Sequence, residues 1–204
     1  GLVASLARPG GNATGNSFLG TELAVKQLEL LRELAPAARR MALVGNASLQ
    51  PEPVFFQQMQ EPAKRLGFET VFVDIRSPND FGRAVAALQA HQVHAAIWAP
   101  GGYTDTAAAR ERLLAESAGL TIPSMYFRRE FVEGGGLIAF GPSFPDLYRK
   151  AASYVDRILR GEKPADLPVQ QPTQFELVVN AKTARRLGTP IPASILDRAD
   201  EVIE

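Results

Sequence analysis

Four short apolar runs, at residues 41–45, 70–75, 94–99 and 123–127, dominate the first two thirds of the chain, and segments of helical periodicity separate them. A continuous apolar run reads as a strand buried on both faces, unlike the alternating pattern of a sheet that is wet on one side. Both faces then need cover, and the segments at 54–66, 77–92 and 106–117 provide it as amphipathic helices. Parallel strands need crossovers of that length to return to the same end of a sheet. The expected class is therefore α/β, a doubly wound parallel sheet with helices on both faces.

Local signals set the element ends. Thr21 is placed to cap a helix whose Ala24, Leu28, Leu31 and Ala35 share one face, and Pro36 stops it. Ser77-Pro-Asn-Asp80 has capping-box spacing ahead of the second crossover helix. The last third is less regular. Gly134-Gly-Gly136 precedes an apolar run at 137–140, and a long helix at 144–160 carries Leu147, Ala151, Tyr154, Val155 and Ile158 on one side. Residues 162–173 hold three prolines and are expected to run extended between two bodies, since proline stiffens a segment without a full ladder. One further strand is expected at 175–179, followed by short terminal helices at 181–187 and 194–203.

Composition narrows the function classes. With 204 residues, 46% of them hydrophobic, the chain has enough material for a real core. Lys plus Arg and Asp plus Glu number 22 each, so no general electrostatic attraction to nucleic acid or an anionic membrane is expected. The absence of cysteine removes disulfides, thiolate metal sites and cysteine nucleophiles together. No run approaches the roughly 18 to 20 apolar residues of a membrane span, and the opening residues lack the basic region of a signal peptide. The chain is expected to be soluble and to carry no address of its own.

Enzyme motifs are missing one after another: there is no G-x-x-x-x-G-K-[ST], no G-x-S-x-G, and no G-x-G-x-x-G after a strand. The glycine pairs and the triplet at 134–136 read as backbone turns. His91 and His94 straddle a helix end and a strand start without a third ligand nearby, which does not make a metal site. Asp74, Asp80, Asp105, Glu111 and Glu116 are scattered, with no pairing for general acid and base work. The expectation is a chain with no catalytic residues, no metal and no cofactor.

What remains is positional. In open α/β sheets ligands bind beyond the carboxyl ends of the strands, where loops gather. Those loops offer Asn46 and Ser48 after the first run, Pro100 and Gly101 after the third, Tyr126 at the end of the fourth, and Phe140 in the fifth. Small polar donors among aromatics suit a small-molecule cleft, with Tyr126 expected to stack on the ligand and Asn46 to make a polar contact. Core packing is the competing reading for Trp98, Tyr126, Phe127 and Phe140.

Whole segments resemble one bacterial family. They are Ser5-Leu-Ala-Arg-Pro-Gly-Gly-Asn-Ala-Thr-Gly15, Arg129-Glu-Phe-Val-Glu-Gly-Gly-Gly-Leu137, Ala152-Ser-Tyr-Val-Asp-Arg-Ile-Leu-Arg-Gly161, Leu167-Pro-Val-Gln-Gln-Pro-Thr-Gln-Phe-Glu-Leu-Val-Val-Asn180 and Ile191-Pro-Ala-Ser-Ile-Leu-Asp-Arg-Ala-Asp-Glu-Val-Ile203. The family is that of the ABC transporter substrate-binding proteins that include the tryptophan-uptake type. The resemblance implies a type I periplasmic binding protein-like fold, with two α/β lobes, a ligand cleft between them and strands that cross a hinge. It also implies a periplasmic location, an amino-acid-like or aromatic solute, and an ABC permease of the inner membrane as partner. In that family the first of these blocks lies well inside the protein, so the chain resembles mainly a second lobe. Residues 14–137 and 173–204 would form that lobe, and 1–13 and 138–172 would supply hinge strands and a remnant of the first. The helix at 144–160 would then offer an apolar stripe to a second copy, making a homodimer. Two other classes share the core: the effector lobe of a transcription regulator, and an α/β enzyme whose reactive loop lies on the other half. Neutral charge argues against nucleic-acid contact by this part.

Overall fold

The computed structural model describes residues 2–17, 20–46, 54–101, 104 and 106–204, with the backbone alone at 20, 21, 54 and 55. It divides into two compact units. The larger holds Thr21–Gly141 with Glu176–Glu204, and the smaller holds Gly1–Gly20 with Pro142–Phe175.

The larger unit is built on α1 (Gly20–Leu34), β1 (Arg40–Gly45), α2 (Val54–Arg65), β2 (Glu69–Asp74), α3 (Phe81–Ala90), β3 (Ala95–Trp98), α4 (Ala107–Ser117), β4 (Ser124–Tyr126), α5 (Arg129–Glu133) and β5 (Ile138–Pro142). After the smaller unit's α6 (Phe144–Leu159), the chain returns through β6 (Phe175–Asn180), α7 (Ala181–Leu187), α8 (Ala193–Leu196) and β7 (Glu201–Ile203). The seven strands form one sheet in the order β2-β1-β3-β4-β5-β6-β7. The first five are mutually parallel, in registers such as Val44 opposite Trp98 and Ile97 opposite Met125. The Asn180 amide donates to the Leu137 carbonyl and that of Ser143 to Gln174, so β6 runs antiparallel to β5; β7 lies parallel to β6.

The apolar runs form strands because each one is covered. Leu28, Leu31 and Met59 from α1 and α2 pack with Leu43, Ile97, Met125 and Ile138 into one core, each almost fully buried. Burying an aliphatic side chain of this size contributes about 1.5–3 kcal/mol. The alternate strand positions, Val44 and Trp98, face the other way, where Phe81, Leu88 and Leu113 of α3 and α4 are equally buried. The run at 70–75 departs from the expectation of full burial. It forms β2, at the sheet's edge with a neighbour on one side only, and its Phe72 is 40% exposed.

Three sequence expectations change. Helix α1 begins at Gly20, so Thr21 lies inside its first turn instead of capping it. The terminal helix expected at 194–203 stops at Leu196, and Glu201–Ile203 is strand β7. Its partner β6 is distant in sequence, which is why local periodicity could not reveal it: the Asp200 carboxylate accepts from the Leu177 amide at 2.7 Å, and the Asp200 amide donates to the Leu177 carbonyl at 2.8 Å. The five-residue α5 was too short to leave a period. Its C-terminal turn uses the glycine triplet. Gly135 has φ +107°, and a Cβ on Gly136 would lie 2.8 Å from both the Phe131 carbonyl oxygen and the Tyr126 ring.

In the smaller unit, two extended segments pair at Asn16 and Gln170, and Val169 donates to the Leu6 carbonyl. Helix α6 is held to them by side chains: the Tyr154 hydroxyl donates to the Pro168 carbonyl at 2.6 Å, and the Asn16 amide to the Leu147 carbonyl at 2.9 Å. Of the expected stripe, Tyr154 is buried and Leu147, Ala151 and Ile158 half-buried, whereas Val155 is 56% exposed in a separate row with Tyr148 and Leu159. One helical step of 100° moves Val155 off the face that Tyr154 occupies.

Two outcomes test this account. A Cβ at Gly141 would sit 1.9 Å from the Phe127 carbonyl oxygen, so Gly141→Ala should cost about 3 kcal/mol in urea unfolding. Ahead of α3, Ser77 Oγ accepts from the Asn79 amide while the Asp80 carboxylate accepts from Arg76 and Ser77 amides and pairs with Arg83. The Arg76 amide first, then the Arg83 guanidinium and the Ser77 amide, hold Asp80 at about 2. A carboxyl lowered on folding stabilises above its unfolded value, so this contribution is complete above about pH 4 and fades as pH falls to about 2. Asp80→Asn should flatten that part of the acid unfolding curve.

Candidate functional site

Parallel alignment sends β1, β3, β4 and β5 out of the sheet at one edge. Asn46 follows β1 directly and is 5% exposed; Pro100 and Gly101 follow β3 and are half-buried. Phe140 lies within β5, not beyond it, and is half-buried. Ser48 lies outside the described residues.

Tyr126 ends β4, but its side chain is part of the core. It is 3% exposed; its ring stacks on Phe131 at 4.7 Å and lies parallel to Trp98 at 6.5 Å. The phenol leans back along β4 to the hydroxyls of Ser117 and Ser124. A ring packed among these aromatic neighbours is part of the core, the reading that competed with stacking at this position. Burial pushes the phenol up to about 12, outweighing the two hydroxyls.

The turn after β4 brings charge to this edge. Arg128 and Glu130 form a two-pronged pair at 2.5 and 3.1 Å, with the guanidinium side chain 14% exposed. Burial raises the Glu130 carboxyl, yet Arg128, its own backbone amide and Arg110 hold it below the usual carboxylate range. Arg129 turns elsewhere, to Glu133, Glu176 and Glu201, and ties α5 to β6 and β7. The edge also has a polar support that sequence reading missed. Gln27, on the apolar face of α1 and 1% exposed, donates to the backbone carbonyls of Phe140 at 2.7 Å and Tyr126 at 3.4 Å. The signal was available as a lone amide between Ala24 and Leu28, on a face otherwise apolar.

A concavity of about 690 Å³ lies at the opposite edge, lined among others by Ile122, Ser124, Leu137, Asn180 and Arg186 at the amino ends of β4 and β5. It gathers none of the expected site residues except the buried ring of Tyr126. Among the described residues no group of three or more His, Asp or Glu is placed to hold a metal. His94 Nδ1 accepts from the amides of Arg39 and Arg40.

A mostly parallel α/β sheet with a loop-built edge is the architecture of the type I periplasmic binding protein-like folds. The chain matches the model of the ABC transporter substrate binding protein family over residues 1–203, and it belongs to that family. A tyrosine-binding protein of Clostridioides difficile is 26% identical over 188 residues, 92% of this chain and 53% of the relative. The chain thus spans about half the length of that curated relative. Among solved structures, an L-Trp complex from Streptococcus pneumonia superposes with TM-score 0.84 at 27% identity, covering 99% of this chain and 68% of that one. A conserved domain protein of Vibrio cholerae gives TM-score 0.86 at 26% identity, covering 98% of this chain and 66% of that one. A LacI-family repressor from Corynebacterium glutamicum, at 17% identity and TM-score 0.52, shares the fold alone.

The buried phenol gives a pH test. A tyrosine raised on folding stabilises below its unfolded value near 10, and that contribution disappears as pH rises through about 12. Ultraviolet titration should show one tyrosine ionising at about 12, together with loss of structure, and Tyr126→Phe should remove that step.

Proposed function

We propose that this chain takes part in capturing an aromatic amino acid, in the tryptophan and tyrosine class, for delivery to an ABC permease of the inner membrane. The observation that carries the reading is likeness over nearly the whole chain to a structure holding L-Trp, together with a curated tyrosine-binding relative. On this reading the larger unit is one lobe of a two-lobe trap. The smaller unit supplies hinge strands and part of the other lobe, and the protein works in the periplasm. Asn46, Pro100, Gly101 and Phe140 face the solute, with Asn46 making the polar contact. Ser48 belongs to the same proposed set, and Tyr126 supports the edge from within. Among the described residues no helix is long and apolar enough to cross a membrane. The regulator reading is weaker, because its likeness is one of fold alone and the formal charge is zero.

A thermal-shift and calorimetric screen with L-Trp, L-Tyr and L-Phe against non-aromatic amino acids tests the proposal. A ligand at 100 times its Kd adds about 2.7 kcal/mol, which raises Tm by about 5–10 °C in a chain this size. Asn46→Ala should raise the Kd about ten-fold, the worth of one good hydrogen bond. A chain stabilised only by sugars, or by no solute in the screen, would overturn the reading.

A further inference from the structure

A buried primary amide must find partners for its two N–H groups, and where it finds them shows what it holds. Gln27 sits on the face of α1 that carries Leu23, Ala24, Leu28 and Leu31 into the core. Its Nε2 reaches past that core to the carbonyls of Phe140 at 2.7 Å and Tyr126 at 3.4 Å. These carbonyls belong to neighbouring strands. The β4–β5 pairing ends at Tyr126 opposite Ala139, so the amide binds the two strands where their pairing runs out.

The strand ends are also crowded. Gly141 is the residue after Phe140, and its α-carbon passes so near the Phe127 carbonyl that a Cβ there would be 1.9 Å from the oxygen. A glycine admits this approach, and an amide bridging the two strands keeps it. The same point is where the chain leaves the larger unit, whose boundary falls after Gly141. One side chain on α1 therefore bonds to both β4 and β5 at the edge.

We propose that Gln27 is a positioning residue of the solute site. It fixes the β4 and β5 ends so that Phe140 and the turn beyond Tyr126 are presented in one geometry. A ligand that needs both strand ends at a set spacing loses affinity when that spacing relaxes, without losing any direct contact to Gln27. The proposal rests on the solute-capture reading for its effect on affinity, but not for its effect on the strand ends.

The test separates positioning from packing. Gln27→Met keeps length and approximate volume while removing both donors. Leu34→Ala, 3% exposed near the end of the same helix, is the control for lost stability at a site away from the edge. Each variant is measured for Tm, for L-Trp and L-Tyr Kd by calorimetry well below its Tm, and for ligand-free amide hydrogen exchange. Gln27→Met should raise Kd at least ten-fold and speed exchange at 126–128 and 140–141 at least ten-fold. Leu34→Ala should lower Tm while leaving Kd within two-fold and exchange in those segments unchanged. Unaltered exchange in Gln27→Met overturns the proposal, as does an unaltered Kd in a chain that binds L-Trp or L-Tyr. Failure of the unsubstituted chain to bind either amino acid overturns the functional reading instead, and exchange then decides the role of Gln27.

Discussion

The parallel pairing of β1, β3, β4 and β5 is the constraint on which the larger unit depends. Once neighbouring strands run the same way, each must be followed by a crossover, and every crossover leaves from the same edge. That single fact accounts for the helices α2, α3 and α4, for burial on both faces of β1 and β3, and for the gathering of Asn46, Pro100 and Gly101 at one edge. The edge collects residues that lie far apart in sequence without any of them having to attract another. A loop-built site of this kind can vary while the ladder beneath it stays constant.

Where the ladder ends, polar side chains take over its function. Gln27 joins β4 and β5 at the carboxyl edge. At the other end of β5, Asn180 donates from Nδ2 to the Val132 carbonyl and accepts from the Thr183 amide, so one side chain caps α7 and holds the turn after α5. Asp200 supplies an acceptor to β6 as β7 begins. Gln27 and Asn180 are costly to bury alone and favourable once paired, so their contacts specify one arrangement of strand ends more strongly than apolar packing does. Exposed ion pairs such as Lys26 with Glu29 or Arg160 with Asp156 contribute much less, because water screens them.

The smaller unit is organised differently. Its extended segments meet at Asn16 and Gln170, and side-chain bonds from Thr14, Asn16 and Tyr154 to backbone carbonyls hold them together with α6. Little of this leaves a periodic trace. The three prolines between 162 and 173 signalled an extended path, but not which residues it would meet.

The sequence by itself determined the class of fold, because uninterrupted apolar runs and 3.6-residue periods are read from neighbours a few positions apart. It determined the capping box of Ser77 and Asp80, on the turn that leads into α3, for the same reason. It also showed the glycine turn after α5, where only backbone freedom was at issue. Tertiary structure alone decided what depends on distant partners. Glu201–Ile203 became a strand because β6 stood beside it. Tyr126 went to the core because Trp98 and Phe131 surrounded its ring. Gln27 acquired its role because two carbonyls from the ends of β4 and β5, 99 and 113 residues away, came within reach of one amide. Local pattern encodes which face of an element is apolar; which groups then meet across that face follows from the packing of the whole chain.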